Sequence, residues 1–152
     1  MAIRKKKTSR LVNLKPSKKG VRQVLGDLET DIMEILWRKN QASVREVHET
    51  LAKERNIAYT TVMTVMSRLA EKGLLRREQQ GRAYLYAPTQ TRDEFCSETI
   101  STVVQGLIGG FGEPVLSQFV DSVSAQDADQ LDELVRLIEA KKKEAERSAT
   151  SH

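Results

Sequence analysis

Apolar residues recur along this chain at two different spacings, and the switch between them marks out its elements. Leu28, Ile32, Ile35 and Leu36 fall on one face of a helix. Asp27 stands where an N-cap is expected and Asn40 near the end. Trp37 on this helix is expected near the centre of the domain. Ser43 with Glu46 three positions on has the form of a capping box, opening a second helix whose buried face is Val44, Val47 and Leu51. Arg55, Asn56, Ile57 and Ala58 read as a turn. Val62, Val65, Met66 and Leu69 then carry the i, i+3, i+4, i+7 spacing of a third helix from Tyr59 to Lys72. Gly73 stops that helix at C′, while its start lacks a capping side chain. From residue 74 the spacing changes. Residues 74–78 and 82–86 read as two strands, joined at Gln79, Gln80 and Gly81, and Pro88 ends the second.

Three helices and a hairpin, in that order, predict a winged helix-turn-helix. Beyond Thr91 a helix is expected over residues 92–107, broken by Gly109, Gly110 and Gly112. A short helix over 113–122 follows, carrying Val115, Leu116, Phe119 and Val120. A last helix opens at Ser124, with Asp127 three positions on, and bears Leu131, Leu134, Val135, Leu137 and Ile138. Its acids lead and its lysines trail, which suits the helix dipole. Three short amphipathic helices cannot bury a full core alone, so this part is expected to dock on a second copy of the chain. Val115, Leu116, Phe119, Leu131, Leu134, Val135 and Ile138 are the candidate dimerisation residues. The fold class is therefore mainly α: an N-terminal winged helix-turn-helix, three helices plus a β-hairpin wing, followed by a helical dimerisation domain.

The third helix is two-faced. Opposite its apolar stripe lie Thr60, Thr64 and Ser67, flanked by Thr61, Met63 and Arg68. Small hydroxyls allow close approach to a DNA major groove, and methyl groups can touch thymine. The bland alternative for these hydroxyls is an ordinary solvated helix face.

Charge adds a third segment. The net charge is +4, yet residues 1–22 hold nine basic side chains and no acid, leaving 16 basic against 21 acidic residues in the remainder. The basic character is thus that of a tail. Without periodicity, residues 1–22 read as a disordered arm. Arg4, Lys5, Lys6, Lys7 and Arg10 are its candidate phosphate contacts, with a solubilising tail and an organellar transit segment as alternatives. The expected division is 1–22 arm, 23–88 winged helix, 89–143 dimerisation domain and 144–152 flexible tail.

No apolar run approaches the ~18 residues of a membrane span, and none near the N-terminus resembles a secretory core. One cysteine permits no intrachain disulfide, so a reducing, cytoplasmic setting is expected. Cys96 reads as a buried or half-buried thiol, with an intersubunit redox switch as the sharper alternative. His48 reads as solvent-facing, and no second histidine stands at ligand spacing. Neither a cofactor, nor a metal, nor catalysis is expected.

The segments Leu28–Trp37, Ala58–Gly73 and Gly81–Pro88 (LETDIMEILW, AYTTVMTVMSRLAEKG and GRAYLYAP) closely resemble the penicillinase-repressor family of BlaI/MecI/CopY type. Gly109, Gly110, Phe111 and the acidic-then-apolar last helix also fit, and the similarity covers about residues 24–143. The resemblance implies a dimeric bacterial repressor whose winged helix binds operator half-sites containing TACA/TGTA. It implies Thr60, Thr61, Met63, Thr64 and Arg68 as groove and backbone contacts, and Arg77, Arg82 and Tyr84 as wing contacts; for the two arginines, generic surface charge is the alternative. Antibiotic-sensing members are cut at an Asn-Phe bond in the helix after the wing. Alignment on Gly109-Gly110-Phe111 puts Ser101-Thr102 at that place, so the resemblance does not carry this cleavage over. Copper-sensing members use paired cysteines, which a chain with Cys96 alone lacks. The expected function is a sequence-specific, DNA-binding transcriptional regulator acting as a homodimeric repressor. Its rival is a winged-helix interaction scaffold whose basic tail binds an acidic protein or RNA. No upstream signalling partner is identified by the residues.

Overall fold

The capping signals place the helices of the first half. In the computed structural model, which describes residues 14–124 and 127–151, helix α1 spans Asp27–Lys39 and α2 spans Val44–Ala52. Ser43 caps α2 as its spacing implies: its side chain accepts from the Glu46 N–H at 3.2 Å, and the Glu46 carboxylate accepts from the Ser43 N–H at 2.7 Å. The cap of α1 is Gly26, not Asp27, which is the first helical residue and pairs with Arg22 at 3.1 Å. Helix α3 spans Tyr59–Glu71 behind an uncapped Ala58. Gly73, at φ +78°, closes it: the Leu74 N–H reaches the Leu69 carbonyl and the Gly73 N–H reaches that of Ala70. That paired pattern is a Schellman motif, open to glycine because the left-handed backbone carries no Cβ penalty there.

Strand β2 (Leu75–Gln80) and β3 (Ala83–Pro88) pair antiparallel, with Gln80 opposite Ala83. The turn is therefore Gly81 and Arg82, one step later than the spacing suggests, with Gly81 at φ +64°. A short strand β1 (Ala42–Ser43) pairs with β3, giving the order β1-β3-β2. Two residues carry no readable period, so β1 is visible only in the fold.

One compact unit extends to Thr102 and the other runs from Val103. The core lies in the first: Ile32, Met33, Leu36, Val47, Val62, Met66 and Leu69 are fully enclosed, sealed by Leu74, Leu75, Tyr86 and Phe95. Trp37 is half-buried; its indole N–H donates to the Gln90 carbonyl at 3.1 Å and its ring leans on Phe95. Residues 1–13 lie outside the described residues, and the expectations for Arg4, Lys5, Lys6, Lys7 and Arg10 fall there. Residues 14–22, read from sequence as part of a disordered arm, are folded. Gly20–Gln23 forms a 3-10 turn, with Val21 buried in the core beside Leu25.

Helix α4 (Arg92–Phe111) passes through Gly109 and Gly110 unbroken, against the expected stop, and ends only where Gly112 turns at φ +73°. Glycine costs a helix about 1 kcal/mol per residue against alanine, which does not by itself end one. Thr91 and Glu94 form a second capping box at its start. In the other unit α5 spans Glu113–Ser124, and α6 spans Ala128–Thr150. Asp127, rather than Ser124, caps α6 by accepting from the Asp129 N–H at 2.9 Å. Residues 144–150, expected as a flexible tail, continue the helix. No described helix is long and apolar enough to cross a membrane.

Candidate nucleic-acid interface

Helix α3 puts its two faces where the spacing requires. Val62, Met66 and Leu69 are buried and Val65 is half-buried, while Thr60, Thr61, Met63, Thr64 and Arg68 are exposed. Ser67 sits at the border, half-buried. The hydroxyl of Thr64 donates to the Thr60 carbonyl at 2.8 Å. Its proton is spent within the helix. What it offers outward is a methyl group and oxygen lone pairs, a surface suited to the thymine methyl rather than to a base acceptor. Residues 55–70 contain no acid; the one acid of α3, the exposed Glu71, stands at its C-terminal end, about 11 positions along the same face from Thr60. The Arg68 guanidinium has no hydrogen-bond or ion-pair partner among the described residues.

Two side chains at the start of α3 escape a reading by helical spacing. Tyr59 is 45% exposed beside Thr60, and the His48 ring stands edge-on to it, centroids 5.7 Å apart. His48 is half-buried, not solvent-facing as expected: its Nε2 donates to the Ile57 carbonyl at 2.8 Å. The imidazole thus ties α2 to the turn that launches α3. This turn would otherwise rest on an uncapped helix start. The signal in sequence is faint, an aromatic next to a TT pair and a histidine eleven positions before it.

The wing is organised by pairing. Tyr84 lies diagonally across the hairpin from Arg77, whose guanidinium stacks over the phenol ring at 4.5 Å. Such stacking holds the arginine in place and leaves its N–H edges available to phosphate oxygens. Arg76 is instead paired with Glu78 at 3.2 Å. Arg82 occupies the tip, exposed.

The candidate dimerisation residues divide in two. Val115, Leu131 and Leu134 are half-buried, on helices that pack on each other; Leu116, Phe119, Val135 and Ile138 are exposed. No described residue from Val103 onward is buried. Cys96 is a free, half-buried thiol packed against the first unit's core. Among the described residues no three His, Cys, Asp or Glu side chains gather to hold a metal ion.

Residues 25–140 match the family model described as "Penicillinase repressor". The chain is 41% identical over 118 residues to the transcriptional regulator BlaI of Mycobacterium tuberculosis, covering 76% of this chain and 86% of that protein. It is 22% identical over 122 residues to the penicillinase repressor of Bacillus licheniformis, covering 79% and 95%. Among solved structures it is similar to the DNA-binding domain of the repressor BlaI, with 29% identity, a TM-score of 0.41, and coverage of 48% of this chain and 88% of that one.

Proposed function

The chain belongs to the penicillinase repressor family, and on that premise we propose that it represses as a homodimer, each protomer reading one half of a TACA/TGTA-type dyad. It is a DNA-binding transcriptional repressor, not an enzyme. The observation that carries the finer reading is the outward face of α3: hydroxyls, a methionine and an arginine, with no acid before Glu71 at its C-terminal end, on a helix backed by the core. In this reading α3 enters the major groove, with Thr60, Thr61, Met63, Thr64, Ser67 and Arg68 on bases and flanking backbone, and Tyr59 joins them at the N-terminal end. Helix α2 crosses the backbone. Arg77, Arg82 and Tyr84 of the wing grip phosphate, which positions the domain without specifying sequence. Residues 23–88 serve DNA, residues 89–143 serve the partner copy, and the chain works in the cytoplasm, where a lone thiol stays reduced.

Fluorescence anisotropy at physiological salt tests this, comparing a duplex bearing the dyad with a scrambled one. A preference of ~10³ or more for the dyad is expected. Thr64→Ala is expected to lower that preference by about tenfold, the lower range of one good base contact. Equal binding of both duplexes by the unaltered chain would overturn the operator assignment, and would be the behaviour of an interaction scaffold. An equal loss on both duplexes for the variant would remove Thr64 from base reading.

A further inference from the structure

The family match begins at residue 25, yet the structure folds a lysine-bearing segment ahead of it onto the DNA-binding unit. We propose that residues 14–23 form a built phosphate-contacting element, with Lys15, Lys18 and Lys19 engaging the DNA backbone beside the half-site that α3 reads. The inference rests on the DNA-binding function above and adds a surface to it.

Several observations fix this element in place. Val21 and Leu25 are in the core. The Lys15 N–H donates to the Gln23 carbonyl at 2.7 Å, the Lys18 N–H to the Lys15 carbonyl at 3.0 Å, and the Gln23 side-chain amide to the Lys18 carbonyl at 3.0 Å. The segment is thus a loop closed upon itself rather than a loose tail. Its one arginine, Arg22, pairs with both Asp27 and Asp31 of α1. The Asp31 carboxylate is shared with Arg55, which lies in the turn leading into α3. One carboxylate therefore joins the root of the lysine loop to the launching point of the groove-reading helix. The N-terminal end of such a helix is the part that reaches base edges and adjacent phosphates.

The electrostatics point the same way. Residues 14–22 carry Lys15, Lys18, Lys19 and Arg22 and no acid, and all three lysines are exposed. Asp27 pairs with Arg22, and with Lys18 at 3.9 Å. Without residues 1–22, the chain up to Thr102 holds 11 basic against 12 acidic residues. A domain so nearly neutral gains little phosphate affinity from its overall charge, so local lysines carry weight.

The test uses the full chain and the salt dependence of binding to dyad and scrambled duplexes. Lys15, Lys18 and Lys19 are changed together to alanine. A control changes Lys141, Lys142 and Lys143 of α6, which removes the same charge elsewhere. Every lysine that neutralises a phosphate adds about 0.9 to the slope of log K against log salt, so its removal is expected to reduce the slope by that amount. The first triple is expected to flatten the slope on both duplexes, leave the dyad preference unchanged and be rescued by arginine at the same three positions. The control is expected to keep the unaltered slope. An unaltered slope in the first triple, or equal flattening by both triples, would overturn the proposal. Loss of dyad preference in the unaltered chain would instead strike the operator assignment, and the slopes would still decide this one.

Discussion

The two units of this chain solve the problem of burying apolar surface differently. The first closes around Ile32, Met33, Leu36, Val62, Met66 and Leu69, all but sealed from water. The second buries none of its described residues to that degree, and leaves Leu116, Phe119, Val120, Val135, Leu137 and Ile138 exposed. Both halves have amphipathic helices, so helical patterning alone does not distinguish them. What differs is the number of surfaces that each stripe finds to pack on. In the first unit α1, α2, α3 and the sheet converge; from Val103 onward, α5 and α6 have each other. Exposed apolar patches of this kind mark an interaction surface, which supports assigning the second unit to a partner copy.

The largest effect that would sharpen this contrast is in the core. Leu36→Ala is expected to destabilise the first unit by about 2–5 kcal/mol, read as a lowered denaturation midpoint. Val135→Ala, on an exposed stripe, should shift a dilute sample by about 0.5 kcal/mol or less. Similar destabilisation by both would break the comparison.

Next in size is Phe119→Asp. A charge at a side chain 54% exposed in one chain should leave the melting of the first unit intact. Buried at a dimer interface, the same charge is unpaired and costly. Sedimentation velocity is expected to show a dimer for the unaltered chain and a monomer for the variant, with operator affinity falling alongside. A variant that still sediments as a dimer would place the interface elsewhere.

The smallest effect belongs to the charged rim of the first unit. The Arg22 hydrogen bond, aided by the charge of Lys18, holds the Asp27 carboxyl below its ordinary value. A lowered folded-state pKa stabilises the fold above the unfolded value of about 3.8 and is lost as pH falls through the folded one. Asp27→Asn is therefore expected to remove a small part of the acid destabilisation below about pH 3.8, with little change in pH dependence at neutrality. A changed slope only near pH 7 would contradict this.

Much of the fold can be read locally. The Ser43–Glu46 box, the Gly73 stop and the apolar stripe of α3 each depend on residues within a turn or two of one another, and each is found in place. The Thr91–Glu94 box has the same signature at the same spacing. Gly109 and Gly110 mislead because glycine weakens a helix without ending it, whereas Gly112, turning at positive φ, does end it.

What the amino-acid order determined by itself is the two-faced α3 and the succession of helices and hairpin, since side-chain period and capping are properties of neighbouring residues. The tertiary structure decided which distant groups meet: β1 against β3, His48 against Ile57 and Tyr59, and Asp31 between Arg22 and Arg55. No period links such residues. They meet because the core brings their backbones together, and only then do charge and hydrogen bonding choose partners.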